Sequence, residues 1–161
     1  RDLHLSIRRQ RQMCIRDRKQ SKISVLNIPD EPGIASKLFG KLAESSIMID
    51  MIVQNVGEKG YADISITVNR DFAQDAESII EGLKSDFGDI EIIRNDEIAK
   101  VSVVGIGMKS QAGVAARVFS ALSESKINIL MISTSEISIS VIIDTNHSEN
   151  AVKLLHKEFI E

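Results

Sequence analysis

Lys22-Ile23-Ser24-Val25-Leu26-Asn27-Ile28 recurs as Lys100-Val101-Ser102-Val103-Val104-Gly105-Ile106, and that recurrence decides the fold. The match continues downstream. Phe39, Leu42, Glu44, Ser45, Ile47, Ile49, Met51 and Ile52 return as Phe119, Leu122, Glu124, Ser125, Ile127, Ile129, Met131 and Ile132. A match over a whole supersecondary unit indicates duplication. The chain therefore reads as two copies of one small module.

The first copy opens with Ile23 and Val25 on a strand that a Pro and Gly turn ends. Ile34, Ala35, Leu38, Phe39 and Leu42 then recur at helical spacing. Ile49, Met51 and Val53 alternate, and Ala62, Ile64, Ile66 and Val68 alternate again after the hairpin signal between Gly57 and Gly60. Ala76, Ile79, Ile80, Leu83 and Phe87 form a second helical stripe, and Ile90 to Ile93 a short strand. This is the βαββαβ order of the ferredoxin-like fold, an α+β class.

In the second copy the spacing predicts a strand over 101–106, a helix over 113–124, strands over 127–133 and 137–143, and a last helix. That helix is expected to start from an Asn146 and Glu149 capping box and to bury Ala151, Val152, Leu155 and Phe159. There the chain stops, one strand short. Met13-Cys14-Ile15 is the only short apolar run before Lys22, so residues 13–16 are expected to complete the second sheet. The expected division is an atypical basic leader at 1–21, a first module at 22–95 and a second at 96–161.

Residues 1–20 hold seven Lys or Arg against two Asp, leaving 13 basic and 21 acidic residues elsewhere. A basic arm can bind nucleic acid, but the leader reads more simply as disordered or as a scar of cloning or gene assembly. With 161 residues, 43% hydrophobic and 27% charged, the chain has room for two small modules and none for a large catalytic domain besides. No apolar run approaches the roughly 20 residues of a membrane span. The single cysteine, Cys14, excludes an intramolecular disulfide framework and makes a cytoplasmic location the default. Cys14 itself reads as a passenger.

Catalytic constellations are scarce. His4, His147 and His156 are scattered without a partner at metal-ligand spacing, and no phosphate loop of the form GxxxxGK[ST] occurs. Gly105-Ile106-Gly107 continues into Met108-Lys109-Ser110 and lacks the acidic residue a dinucleotide site needs. The segment that carries chemistry is Asp30-Glu31-Pro32-Gly33. Gly33 lets the backbone bend, the amides of Gly33, Ile34 and Ala35 at a helix start form a carboxylate site, and Asp30 can pair with an ammonium. One short loop thus matches both ends of a free amino acid. The ordinary alternative is that Asp30 merely caps the helix. The second copy has Lys109-Ser110-Gln111-Ala112-Gly113 there, so two equivalent pockets are not expected. Met48, Met51, Met108 and Met131 read as core or edge filler, with Met51 and Met131 alternating inward. The polar run Ser133 to Ser140 would be costly to bury unless a ligand or a subunit interface satisfied it.

Ile132-Ser133-Thr134-Ser135-Glu136-Ile137-Ser138-Ile139-Ser140, Met51-Ile52-Val53-Gln54-Asn55 and Val104-Gly105-Ile106-Gly107-Met108-Lys109-Ser110 together resemble the regulatory half of bacterial aspartate kinases, with tandem amino-acid-sensing ACT domains, from about Lys22 onward. The resemblance implies no catalytic site in this chain, with ATP and Mg bound by a separate catalytic domain or subunit. It implies feedback inhibition of aspartate phosphorylation by threonine or lysine, a homodimer through the ACT modules, and interlocked modules whose second sheet takes a strand from upstream of the first. Its effector contacts would be Asp30, Pro32, Gly33, Ile34, Ala35, Met48, Ile49, Asp50, Gln54, Val114, Ala115, Asn128, Ile129, Ser135 and Glu136, with no metal and no cofactor. Two other classes share the pattern: a free-standing ACT sensor with another partner, and an RRM-like RNA-binding module. RRMs stack bases on central-strand aromatics. Here aromatics are 4% of the chain, with Tyr61 alone near a strand, so neither nucleic acid nor membrane is an expected partner.

Overall fold

The computed structural model describes residues 13–104, 111–135 and 137–159. In chain order its elements are β1 (Met13–Asp17), β2 (Gln20–Pro29), α1 (Ile34–Glu44), β3 (Ile49–Val56), β4 (Tyr61–Asn69), α2 (Ala73–Glu81), α3 (Lys84–Phe87), β5 (Glu91–Asn95), β6 (Ile98–Val104), α4 (Gln111–Glu124), β7 (Met131–Thr134), β8 (Ser138–Asp144) and α5 (Ser148–Phe159). They form two units. One spans residues 19–96, and the other joins the segment before residue 19 to residues 97 onward.

Each unit has one antiparallel four-stranded sheet. The first runs β3-β4-β2-β5 and the second β7-β8-β6-β1, so β1 fills the place that β5 holds in the first. It lies antiparallel to β6 with Met13 opposite Val104 and Asp17 opposite Lys100. The strand missing from the second copy thus comes from the N-terminal segment, as expected. Cys14 is no passenger: it packs against the second core, and burial pushes its thiol up from the ordinary value. Thiolate chemistry is disfavoured there.

Period-2 alternation turns one face of each sheet toward its helices. In the first unit Ile23, Val25, Ile64, Ile66 and Val68 pack with Leu38, Leu42, Ala76 and Ile80. In the second Val101, Val103, Ile139, Val141 and Ile143 pack with Val118, Leu122, Ala151 and Leu155. The repeat extends to backbone detail. After α1, Ser46 donates to Ala43 and Ile47 to Leu42; after α4, Lys126 donates to Ser123 and Ile127 to Leu122. Ser46 (φ 59) and Lys126 (φ 60) hold the same left-handed position, which closes both helices in a Schellman motif without glycine.

Four local expectations change. The second stripe of the first copy is not one helix: α2 ends at Glu81, and a turn in which Leu83 donates to Ile80 separates it from α3. Asn146 does not cap the last helix. A 3-10 turn at Thr145–His147 precedes α5, and the Asp144 carboxylate caps that turn by accepting from the Asn146 amide at 2.8 Å. Asn69 does the same for Asp71 in the first unit. Residues 127–130 are not part of β7, which begins at Met131, and α4 begins two residues before Gly113. Among the described residues, no helix is long and apolar enough to cross a membrane.

On the face away from the helices, cross-strand partners Ser24 and Ser65 share a hydrogen bond of 2.8 Å, and their counterparts Ser102 and Ser140 one of 2.7 Å. Ser102 and Ser140 are each 8% exposed. The rest of the polar run lies at the hairpin end, where Ser133, Thr134 and Ser135 are exposed and Ser135 Oγ bonds Ser138 Oγ. No ligand is needed to satisfy it. Ser102→Ala, which strands the Ser140 hydroxyl, is expected to cost about 1–2 kcal/mol in denaturant unfolding. Ser102→Ala with Ser140→Ala is expected to recover most of that loss.

The two ends of the first unit are tied together. Ser21, fully buried, donates its hydroxyl to Asp96 Oδ1 at 2.6 Å, and Lys22 pairs with Asn95 across β2 and β5. Arg94 makes a two-pronged contact with Asp96, 2.9 Å at each oxygen, and reaches Glu77 and Gln74 on α2. The Arg94 guanidinium, with help from Ser21, holds the Asp96 carboxyl below the usual carboxylate range.

Candidate functional site

β2 does not run straight into its turn. Val25 faces Ile64 and Ile28 faces Ala62, so Leu26 and Asn27 together oppose the single residue Asp63. Asn27 takes the left-handed conformation at φ 64. This bulge bends the strand where Pro29 and Asp30 leave the sheet.

At the turn, Gly33 sits at φ 93 as the N-cap of α1. A Cβ there would meet nothing within 4 Å, so glycine is required by the backbone angle and not by crowding. The capping alternative for Asp30 fails, because no side chain caps this helix. Asp30 is exposed, its amide donates to the Gly60 carbonyl at 2.8 Å, and its carboxylate has no hydrogen bond or ion pair among the described residues. The set of free amides differs from the expected one. Ile34 donates to Glu31 O at 3.3 Å, whereas Gly33, Ala35 and Ser36 have no backbone acceptor among the described residues.

Asp30 borders an open cleft of ≈ 670 Å³ inside the first unit. Asn27, Pro29 and Glu31 flank it on one side, the hairpin residues Lys59, Gly60 and Tyr61 on another, and Phe87, Gly88 and Asp89 on the third. Of the expected contacts only Asp30 lines it. The cleft depends on the left-handed residues Asn27, Lys59 and Gly88, which strand and helix periodicity does not reveal; an Asn just before a Pro and Asp turn was the available signal.

The other expected contacts fall into separate places. Pro32 is exposed, and Ile34 and Ala35 are half-buried at the start of α1. Gln54 is exposed on β3, level with Ile64. Met48, Ile49 and Asp50 lie at the opposite end of the sheet, since Ile49 pairs with Val68, which pairs with Ser21. Eight strand residues separate that level from Pro29, about 25 Å. Met48 is 83% exposed, while Met51 and Met131 are buried as their alternation predicts. In the second unit Val114 and Ala115 are half-buried on α4, and Ser135 is exposed at the β7–β8 hairpin. Asn128 and Ile129 line a shallow depression of ≈ 500 Å³ with Phe119 and Lys126. Glu136, Met108 and residues 105–106 of the expected strand lie outside the described residues. Among the described residues no three His, Cys, Asp or Glu side chains are grouped to hold a metal ion.

A family model of the ACT domain matches residues 23–88, and another matches residues 101–159. An aspartate kinase of Pseudomonas putida is 44% identical over 143 residues, which is 89% of this chain and 35% of that protein. The chain thus spans about a third of the length of the curated relatives it matches. The regulatory subunit of aspartate kinase from Thermus thermophilus, solved in a ligand-free form, is 41% identical, with a TM-score of 0.84 over 91% of this chain and 96% of that one. Aspartate kinase from Synechocystis superposes with a TM-score of 0.85 at 40% identity, over 91% of this chain and 26% of its own.

Proposed function

The chain belongs to the aspartate kinases as a regulatory region of two ACT domains, and from that premise we propose that it binds threonine or lysine and lowers the activity of the kinase it serves. The regulated reaction is phosphorylation of the aspartate side-chain carboxylate by ATP, an early step toward those amino acids, with ATP and Mg held by a catalytic domain or subunit outside this sequence. The observation that carries the reading is the Asp30 carboxylate, exposed and unused by the helix beside it. A free amino acid carries its ammonium and carboxylate one carbon apart. Asp30 meets the first, and the amides of Gly33, Ala35 and Ser36, at the positive end of α1, meet the second.

A ligand held at residues 30–35 cannot also touch residues 48–50 of the same module, which lie at the far end of the sheet. The proposed contacts therefore divide between ends: residues 30–35 with Gln54 toward one, Met48, Ile49 and Asp50 at the other, and likewise Val114, Ala115 and Ser135 apart from Asn128 and Ile129; Glu136 is proposed on the resemblance alone. At about a hundredfold excess over Kd, threonine or lysine is expected to stabilise the fold by roughly 2.7 kcal/mol. A thermal-shift panel checks this, and no response to either amino acid sinks the proposal.

A homodimer is the second part of the reading. β3 is an edge strand that exposes Ile52 (53%) and Val56 (67%), a combination that invites pairing with a second copy. Sedimentation at micromolar concentration is expected to give a dimer. A monomer both with and without the amino acids contradicts it.

A further inference from the structure

A bulge takes a backbone amide out of the ladder, and that amide needs another acceptor. At Asn27 the acceptor is a side chain: the amide donates to Asp63 Oδ1 at 3.1 Å, from the one residue that Leu26 and Asn27 jointly oppose. The carboxylate holds the bulge from across the strand pair. Past Ile28 the chain reaches Pro29 and Asp30, and the Asp30 amide is fastened in turn to the Gly60 carbonyl at 2.8 Å on the adjoining hairpin. The exit of β2 is thus pinned at two points by β4 and its hairpin, with the Asp30 carboxylate carried between them and the cleft.

The second copy has other residue types at these two positions. Gly105 stands in the sequence where Asn27 does. Ser140 answers to Ser65, so Ser138, a hydroxyl residue, answers to Asp63. The copy with the acidic turn in its sequence is the copy with the Asn27 and Asp63 pair.

We propose that Asp63 is a positioning residue for effector binding: by holding the Asn27 amide it fixes the bulge that aims Asp30, without touching the amino acid itself. This rests on the reading of residues 30–35 as the effector turn. Asp63 is exposed, so its substitution leaves the core intact.

The test uses the full chain and two readouts, amide exchange over residues 27–33 and the Kd for threonine and lysine by calorimetry. Asp63→Ala is expected to speed exchange at Asn27 and to weaken binding by up to about tenfold, the size of an ordinary lost hydrogen bond, with little change in melting temperature. Asp63→Asn keeps an acceptor oxygen and is expected to restore both readouts. Asn27→Gly is expected to bind like the parent, and Asn27→Val, strained at a positive φ, to bind like Asp63→Ala. Unchanged Kd in Asp63→Ala, or a fall in melting temperature alone, overturns the proposal. So does an Asp63→Asn variant as weak as Asp63→Ala, which would assign the effect to charge. If the parent chain binds neither amino acid while Asp63→Ala still frees the Asn27 amide, the hold on the turn is supported and the effector reading is what fails.

Discussion

A chain that begins at Lys19 is expected to lose roughly 3 kcal/mol of stability, nearly all of it from the second unit. β1 supplies five consecutive register partners to β6, from Met13 opposite Val104 to Asp17 opposite Lys100, and Cys14 packs against the second core. Without it, one side of β6 becomes an open edge and the apolar face beneath it is partly bared. The first unit has its own fourth strand, β5, and loses nothing. Hydrogen exchange separates the outcomes. In the intact chain the alternate amides of residues 13–17 that face β6 are expected to exchange more slowly than unprotected ones; after truncation protection is expected to fall at residues 101–104 and 139–143 and to persist at 23–25. Equal protection of both units after truncation would show β1 to be dispensable.

Asp30→Ala is expected to abolish the ligand response, about 2.7 kcal/mol at a hundredfold excess over Kd, while leaving the unliganded fold within about 0.5 kcal/mol. The contrast follows from what the carboxylate does. It is exposed and caps no helix, and the contact of Asp30 with the hairpin runs through its backbone amide, which alanine keeps. A cap lost from a helix start would instead lower the unliganded stability by about 1 kcal/mol. Melting curves with and without threonine and lysine distinguish the two. A variant that melts early but still responds would return Asp30 to a structural role.

The strands and their order are legible in the sequence wherever one face is buried, because Ile23, Val25, Ile64 and Ile66 alternate and the second copy repeats them. The borrowed strand was legible as well, from a deficit in one copy and a single apolar run at Met13 to Ile15. Features set by backbone angle were not. Asn27 sits inside an apolar run that reads as plain strand, yet it carries the bulge. Leu83 keeps helical spacing although the helix breaks at Gly82 and Leu83, between α2 and α3. At the turn, Asp30 and Gly33 were legible as chemistry, but spacing could not show that Ile34 spends its amide on Glu31. Nor could it show that α1 carries the chain to the far end of the sheet before Met48. The contact set that the resemblance implies takes in residues 30–35 and residues 48–50, which one module keeps about 25 Å apart.

The borrowed strand also sets an order of events during synthesis. Residues 19–96 leave the ribosome with all four strands of their sheet before β6 exists, so the first unit can finish folding while β1 waits without a partner. Its completion then helps the second. Ser21 bound to Asp96 and Lys22 paired with Asn95 bring the two exits of the first unit side by side. Closing β1 onto β6 across about 80 flexible residues becomes closure across a handful, which lowers the entropic cost by about 2 kcal/mol. A lesion in the first core would consequently appear as slow or failed assembly of the second.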